Sequence, residues 1–329
     1  MTSFTDLVDL ASARLGGEVL LASDEFFAPK ENLLKASKPE WHEGEYTDRG
    51  KWMDGWETRR RRTPGHDWCL IRLGVPAVLR GVVVDTSYFE GNYPEHCSLE
   101  ACAADRTADA GALAANRVEW SEILPRSPLR GNAENPFPIA HDARVTHLRL
   151  NIYPDGGVAR LRVYGVPAPA AELGPGIVAD LAALENGALV VACSDMFFGN
   201  RHHLIYPGRC THMGGGWETR RRRGPGHDWI VVRLAARGVI GRIEVDTDYF
   251  KGNAPESCSL EVCDTAGAAP ELLASDEVGW TALLPRTPLQ PDARCAVEVS
   301  SASPATHARL AIYPDGGVAR LRLFGRVTG

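Results

Sequence analysis

A glutamate, four consecutive arginines and a histidine–aspartate pair fall within Trp56-Glu57-Thr58-Arg59-Arg60-Arg61-Arg62-Thr63-Pro64-Gly65-His66-Asp67-Trp68. The stretch returns as Trp217-Glu218-Thr219-Arg220-Arg221-Arg222-Arg223-Gly224-Pro225-Gly226-His227-Asp228-Trp229, with one substitution. Guanidinium groups grip a carboxylate in a planar fork at any working pH. Glutamate and histidine can pass a proton to or from a bound group. The pattern therefore predicts acid–base work on a small anion. Glu57 and Glu218 are the candidate general acids or bases, assisted by His66, Asp67, His227 and Asp228. Arg59, Arg60, Arg220 and Arg221 are the candidate anion anchors, flanked by Trp56 and Trp217. Adjacent residues of a strand point apart, so Asp67 does not orient its neighbour His66. The competing structural reading is a charged edge strand followed by a turn closed by His66 or Asp67.

Two further stretches join the candidates. Tyr88 and Asn92 lie in Asp85-Thr86-Ser87-Tyr88-Phe89-Glu90-Gly91-Asn92, which returns as Asp246 to Asn253. Asp155 and Arg160 lie in Tyr153 to Arg162, which returns unchanged as Tyr313 to Arg322. Asp-Gly-Gly is turn chemistry in its own right, which weighs against a functional role for Asp155 and Arg160. Neither a glycine-rich phosphate loop nor a His-Glu-x-x-His helix is present, and His202-His203 has no counterpart in the first copy. The residues call for no metal and no cofactor.

The elements that must hold these groups are themselves repeated, at an offset of 160 to 161 from Trp56 onward. A period that long, present twice, means a duplicated domain. Residues 1–166 and 177–329 are the two repeats, and the proline-rich 167–176 reads as a linker. Within each copy apolar residues alternate: Cys69, Ile71 and Leu73, then Val82 and Val84, then Leu148, Leu150 and Ile152, then Leu161 and Val163. That period marks half-buried strands, and many short strands with few helices argue for an all-β chain with a β-sandwich in each repeat. The best helix candidate is Leu7 to Leu15, ending at Gly16-Gly17, with Val178 to Leu184 as its copy. Between Phe27 and Trp56 the first copy has 28 residues where Phe198 to Trp217 has 18. The excess, 36–53, is polar and aromatic and reads as a lid or a subunit contact.

Composition bounds the function class. A net charge of −6 places the arginine runs in an acidic chain, against a nucleic-acid partner. No apolar run reaches the roughly 20 residues of a membrane helix, and the N-terminus lacks a secretory pattern, so the chain reads as cytoplasmic. Cys97 and Cys102, an odd five residues apart on a strand, face opposite ways and read as buried thiols.

At Asp54 to Arg59, Gly65 to Trp68, Asp85 to Asn92 and Tyr153 to Arg160, with their second copies, the chain resembles the allantoicase family. The resemblance spans nearly the whole sequence. It implies two tandem jelly-roll-like sandwiches of the galactose-binding type, assembly into homo-trimers or hexamers, and hydrolysis of allantoate to ureidoglycolate and urea. On that reading Arg59 and Arg60 hold the substrate carboxylate, Glu57 transfers the proton to the departing urea, and His66 with Asp67 assists. Asp54 corresponds to Gly215, so the second copy lacks that carboxylate. The alternatives are a non-catalytic carbohydrate-binding module, or ureidoglycolate as the main substrate.

Overall fold

A strand of 19 residues, Asp67–Asp85, runs through both layers of the first repeat. The alternation reads as two strands here, 69–73 and 82–84; the structure joins them into one. Its first half pairs with Glu18–Ala22 on one side and Val145–Tyr153 on the other. Beyond the latter lie His96–Cys102 and then Ser121–Pro128. Its second half pairs with Glu134–Pro138 and Arg160–Pro167, and Val8–Asp9 closes the far edge. The changeover is a register shift: His147 faces Arg72, while Val145 faces Ala77. A bent strand that switches sheets makes the corner of a two-layer sandwich. All of these pairings are antiparallel. A computed structural model provides this description for residues 3–115, 117–169, 173–275, 277–300 and 303–328.

The alternating residues fill the space between the layers. Cys69, Ile71, Leu73, Val82, Val84, Leu148, Leu150, Ile152, Leu161 and Val163 are all fully buried. The outer face of the first layer is not simply solvated, as the alternation implies. Leu70 is 1% exposed because Leu113, on the short helix Ala110–Ala114, packs against it with Cys102 and Trp120. This second small core was not legible in the strand pattern.

The helix expected at Leu7 to Leu15 does not form. Val8–Asp9 is a strand, followed by a single 3-10 turn at Ala13–Leu15. The carboxylate of Asp9 takes the amides of Ala11 (3.2 Å) and Val163 (3.0 Å). An aspartate that bonds nearby backbone in this way offers the chain an alternative to helix. Asp180 does the same with Ala182 and Leu323, and Val178–Asp180 is likewise a strand. The stop signals were sound: Gly16 and Gly187 both adopt the left-handed conformation, at φ 90° and 108°.

The second repeat has the same plan around Asp228–Asp246. The chain divides into two compact units between Ala168 and Pro169. Pro167 still pairs with Ala77, and Gly176 already bonds to Val327, so much of the expected linker belongs to one unit or the other. Residues 170–172 of that linker lie outside the described ones.

Candidate functional site

The repeated motifs interlock. Trp56–Glu57 forms a two-residue ribbon with Gly157–Val158, Glu57 facing Gly157. Thr58 Oγ1 accepts the amide of Gly156 at 3.1 Å, and the amide of Arg61 donates to Asp155 Oδ2 at 2.8 Å. Gly157 is required because a Cβ there would fall 1.9 Å from the ring of the fully buried Phe89. Asn92, from the Tyr88 motif, reaches the ribbon and donates through Nδ2 to Glu57 Oε1 at 2.7 Å. Three distant stretches thus meet at one carboxyl group.

Glu57 lines a cavity of about 650 Å³ with Tyr88, Asn92, Asn132, Trp41, Lys51 and Met53. Its side chain is 9% exposed. Burial pushes its carboxyl above the usual glutamate range, and the Asn92 bond pulls back against that. A carboxyl in such a setting can hold a proton and release it. Trp41 stacks on Tyr88 with centroids 5.7 Å apart, and the Lys51 ammonium sits 4.0 Å from the centre of the Trp41 ring. Tyr88 itself is held at φ 68°, its amide tied to Asn132 Oδ1 at 2.8 Å. Such a conformation in a large residue persists only where the surroundings impose it.

The insertion supplies half of this wall. Tyr46–Thr47 and Gly50–Lys51 form a small hairpin that presents Lys51. Arg160 and Arg162 strap the insertion's base to the sandwich through the carbonyls of Ser37, Lys38, Lys35 and Ala36. Trp41, Lys51 and Met53 lie in a segment singled out by composition, although none was named as a site residue. Asn132 carried no signal in the sequence.

Several candidates lie elsewhere. Trp56 is fully buried with its indole N–H on the Asp24 carbonyl at 2.8 Å, so it is a wall, not a substrate contact, and Trp217 repeats this with Asp195. Arg160 is fully buried against Asp54 Oδ2 (2.5 Å) and four carbonyls, which makes it structural. Asp155 clasps the Arg61 amide. Arg59 is paired with Asp24 and lies on Phe26, and Arg60 is exposed; neither lines the Glu57 cavity. Asp67 is 2% exposed and bonded to Arg61 Nη1 at 2.7 Å and Ser23 Oγ at 3.0 Å. His66 lies tilted against Tyr153, with ring centroids 4.7 Å apart, and borders a different cavity. The arginine run was read as one cluster because its spacing cannot reveal which carboxylates already hold it.

In the second unit Glu218 again accepts from Asn253 Nδ2, at 2.6 Å. The shorter segment supplies Met213, whose sulfur lies 3.4 Å from that same Nδ2, in place of the long hairpin. Arg220 pairs with Asp195, Arg222 with Asp228, and the His227 ring lies tilted against Tyr313. Arg220 and Arg221 line a separate cleft of about 460 Å³ with Asp195 and Asp228. Among the described residues no three His, Cys, Asp or Glu side chains cluster as metal ligands, and no helix is long and apolar enough to cross a membrane.

A family model described as the allantoicase repeat matches residues 8–168 and 179–328. A probable allantoicase of Nocardia farcinica is 52% identical over 329 residues, covering 99% of this chain and 96% of that protein. An allantoicase of Dictyostelium discoideum is 47% identical over 323 residues, covering 97% and 87%. The crystal structure of allantoicase from Saccharomyces cerevisiae superposes with a TM-score of 0.81 at 35% identity, over 97% of this chain and 92% of that one.

Proposed function

The chain belongs to the allantoicase family of hydrolases, and from that premise we propose that allantoate meets water in the Glu57 cavity, giving ureidoglycolate and urea. Allantoate carries a carboxylate and two ureido arms on one carbon. Lys51 is the cation on this wall and takes the carboxylate, in place of Arg59 and Arg60. Asn92 and Asn132 offer amide groups that match the donors and acceptors of a ureido arm. The stacked Trp41 and Tyr88 give that planar arm a flat surface.

Urea leaves as a neutral molecule only if its nitrogen gains a proton. Glu57, whose neutral form burial favours, donates it. The carboxylate left behind is held by Asn92 and takes a proton from the incoming water, which restores Glu57. The observation that carries this reading is the buried Glu57 carboxyl, bonded to Asn92 and sharing one cavity with Lys51. Glu57→Gln is expected to lower kcat by about 10²- to 10⁴-fold, measured as urea released from allantoate. Near-normal turnover would remove Glu57 from the mechanism. Glu218→Gln is expected to leave turnover standing, because the second unit has no counterpart of Trp41 or Lys51. Offering ureidoglycolate in the same assay separates the two substrates that these groups could serve.

The reading includes a cytoplasmic setting and assembly into trimers or hexamers. Self-association is supported by the large apolar side chains that the second unit leaves exposed, Phe197, Phe198, Met213 and Tyr249, at 63%, 63%, 46% and 44%. Sedimentation of the purified chain is expected to give a multiple of the 35.7 kDa protomer. A monomer at micromolar concentration would refute the assembly.

A further inference from the structure

Two asparagines border the Glu57 cavity, and their partners fix what each presents to it. Asn132 Oδ1 accepts the amide of Tyr88 at 2.8 Å. A backbone N–H only donates, so that end of the side chain is the oxygen and the other is the NH₂. Nδ2 lies 3.4 Å from Glu90 Oε1, a long bond that takes one of its two hydrogens. Asn132 is exposed at the cavity wall, and its second N–H is left for a ligand. Asn92 is the reverse. Its Nδ2 is committed to Glu57 Oε1 at 2.7 Å, which leaves Oδ1 as the acceptor it offers.

The second unit separates this donor from the structural duty of the same side chain. Asp292 stands where Asn132 does, at φ 51° against 48°, and its Oδ1 accepts the amide of Tyr249 at 2.7 Å. Tyr249 and Tyr88 are held alike, at φ 70° and 68°. A carboxylate therefore holds this backbone as well as an amide does, and the tyrosine does not account for the asparagine. At the neighbouring place Lys251 replaces Glu90, with its ammonium 3.6 Å from Asp292 Oδ2. The unit with Trp41 and Lys51 on its wall carries the NH₂. The unit without their counterparts carries a carboxylate beside a lysine.

We infer that Asn132 is a specificity-determining residue, the one that reads the carbonyl oxygen of a ureido arm. Its Nδ2 donates to that oxygen, while Asn92 Oδ1 takes a ureido N–H. A carboxylate at 132 has no hydrogen to give and sets an acceptor against the carbonyl. Sites built to hydrogen-bond a substrate group discriminate strongly when the match is lost. The inference rests on allantoate occupying the Glu57 cavity, and it names a contact that orients the substrate there.

Transplanting the second unit's pair supplies the test. Glu90→Lys and Glu90→Lys/Asn132→Asp are assayed beside the wild-type chain for urea release from allantoate. The fold accommodates the pair, since Lys251 and Asp292 already occupy these places in the second unit. The summed charge of the two positions is −1 in the wild type, +1 in the single variant and 0 in the double variant. Charge alone thus makes the double variant a better host for an anion than the wild type, with a lower KM. Loss of the donor makes it the worst of the three. Its KM is expected to rise about tenfold above both other proteins, with kcat held within about threefold. A double-variant KM less than about threefold above either protein overturns the inference, because a residue that only held Tyr88 would have been replaced by one that holds it equally. Failure of the proposed function is seen separately, as undiminished urea release by Glu57→Gln.

Discussion

At the scale of single residues, the chemistry turns on one hydrogen bond. Asn92 stabilises the ionised form of Glu57, while burial opposes that form. If Glu57 must carry its proton into the reaction, kcat falls as pH rises through its raised pKa. Removing the Asn92 amide takes away the group that lowers this pKa. Asn92→Ala is therefore expected to move the alkaline limb of the kcat–pH profile upward, in addition to any loss of affinity. A limb that stays in place, or moves down, would separate Asn92 from the ionisation. Glu57, Tyr88 and Asn92 were legible as candidates because they recur in both copies. Arg59 and Arg61 recur as well, yet their charges are committed: Asp24 holds Arg59 from 35 residues away, and Asp67 holds Arg61 across the intervening turn, pairings that the run of arginines does not single out.

At the scale of elements, the insertion 36–53 makes the two units differ, and Arg160 ties it down. In the first unit Arg160 and Lys35 both bind Asp54. Burial pushes the Asp54 carboxyl up, and these cations more than offset that, holding it below the usual aspartate range. In the second unit Arg320 makes do with the carbonyls of Gly208, His203, Gly215 and Ala319. The departure of Gly215 from Asp54 thus removes a structural carboxylate, not a reacting one. Asp54→Ala is expected to cost about 3–5 kcal/mol, since it leaves the Arg160 charge buried without its partner. Thermal unfolding should show a Tm lower by roughly 10 °C, and an unchanged Tm would mean that the carbonyls alone suffice.

At the scale of the whole molecule, the duplication repeats liabilities as well as motifs. His147 and His307 are 1% and 3% exposed. Burial, with Arg72 and Arg106 near the former and Arg233 near the latter, lowers both to about 4. The folded chain then binds fewer protons than the unfolded chain between that value and 6.5. Stability is complete above this window and is lost as pH falls through it, by up to about 1.4 kcal/mol per pH unit for each histidine. Tm is expected to decline on acidification from about pH 6.5 toward 4, and His147→Gln to flatten that decline. An equal decline in the variant would assign the loss to other groups.

The sequence by itself determined the duplication, the all-β character and the family. Those properties are written in motif recurrence and in a period of two, which survive without knowledge of any contact. Only the tertiary structure decided that Asp67–Asp85 is one bent strand, that Asp9 and Asp180 divert their segments from helix, and that Arg59 and Arg61 belong to Asp24 and Asp67. It also joined Lys51 and Trp41 to Glu57. The physical reason is common to all of these: each depends on which partner the fold brings alongside to supply the hydrogen bond or the charge, and local pattern carries no record of that partner.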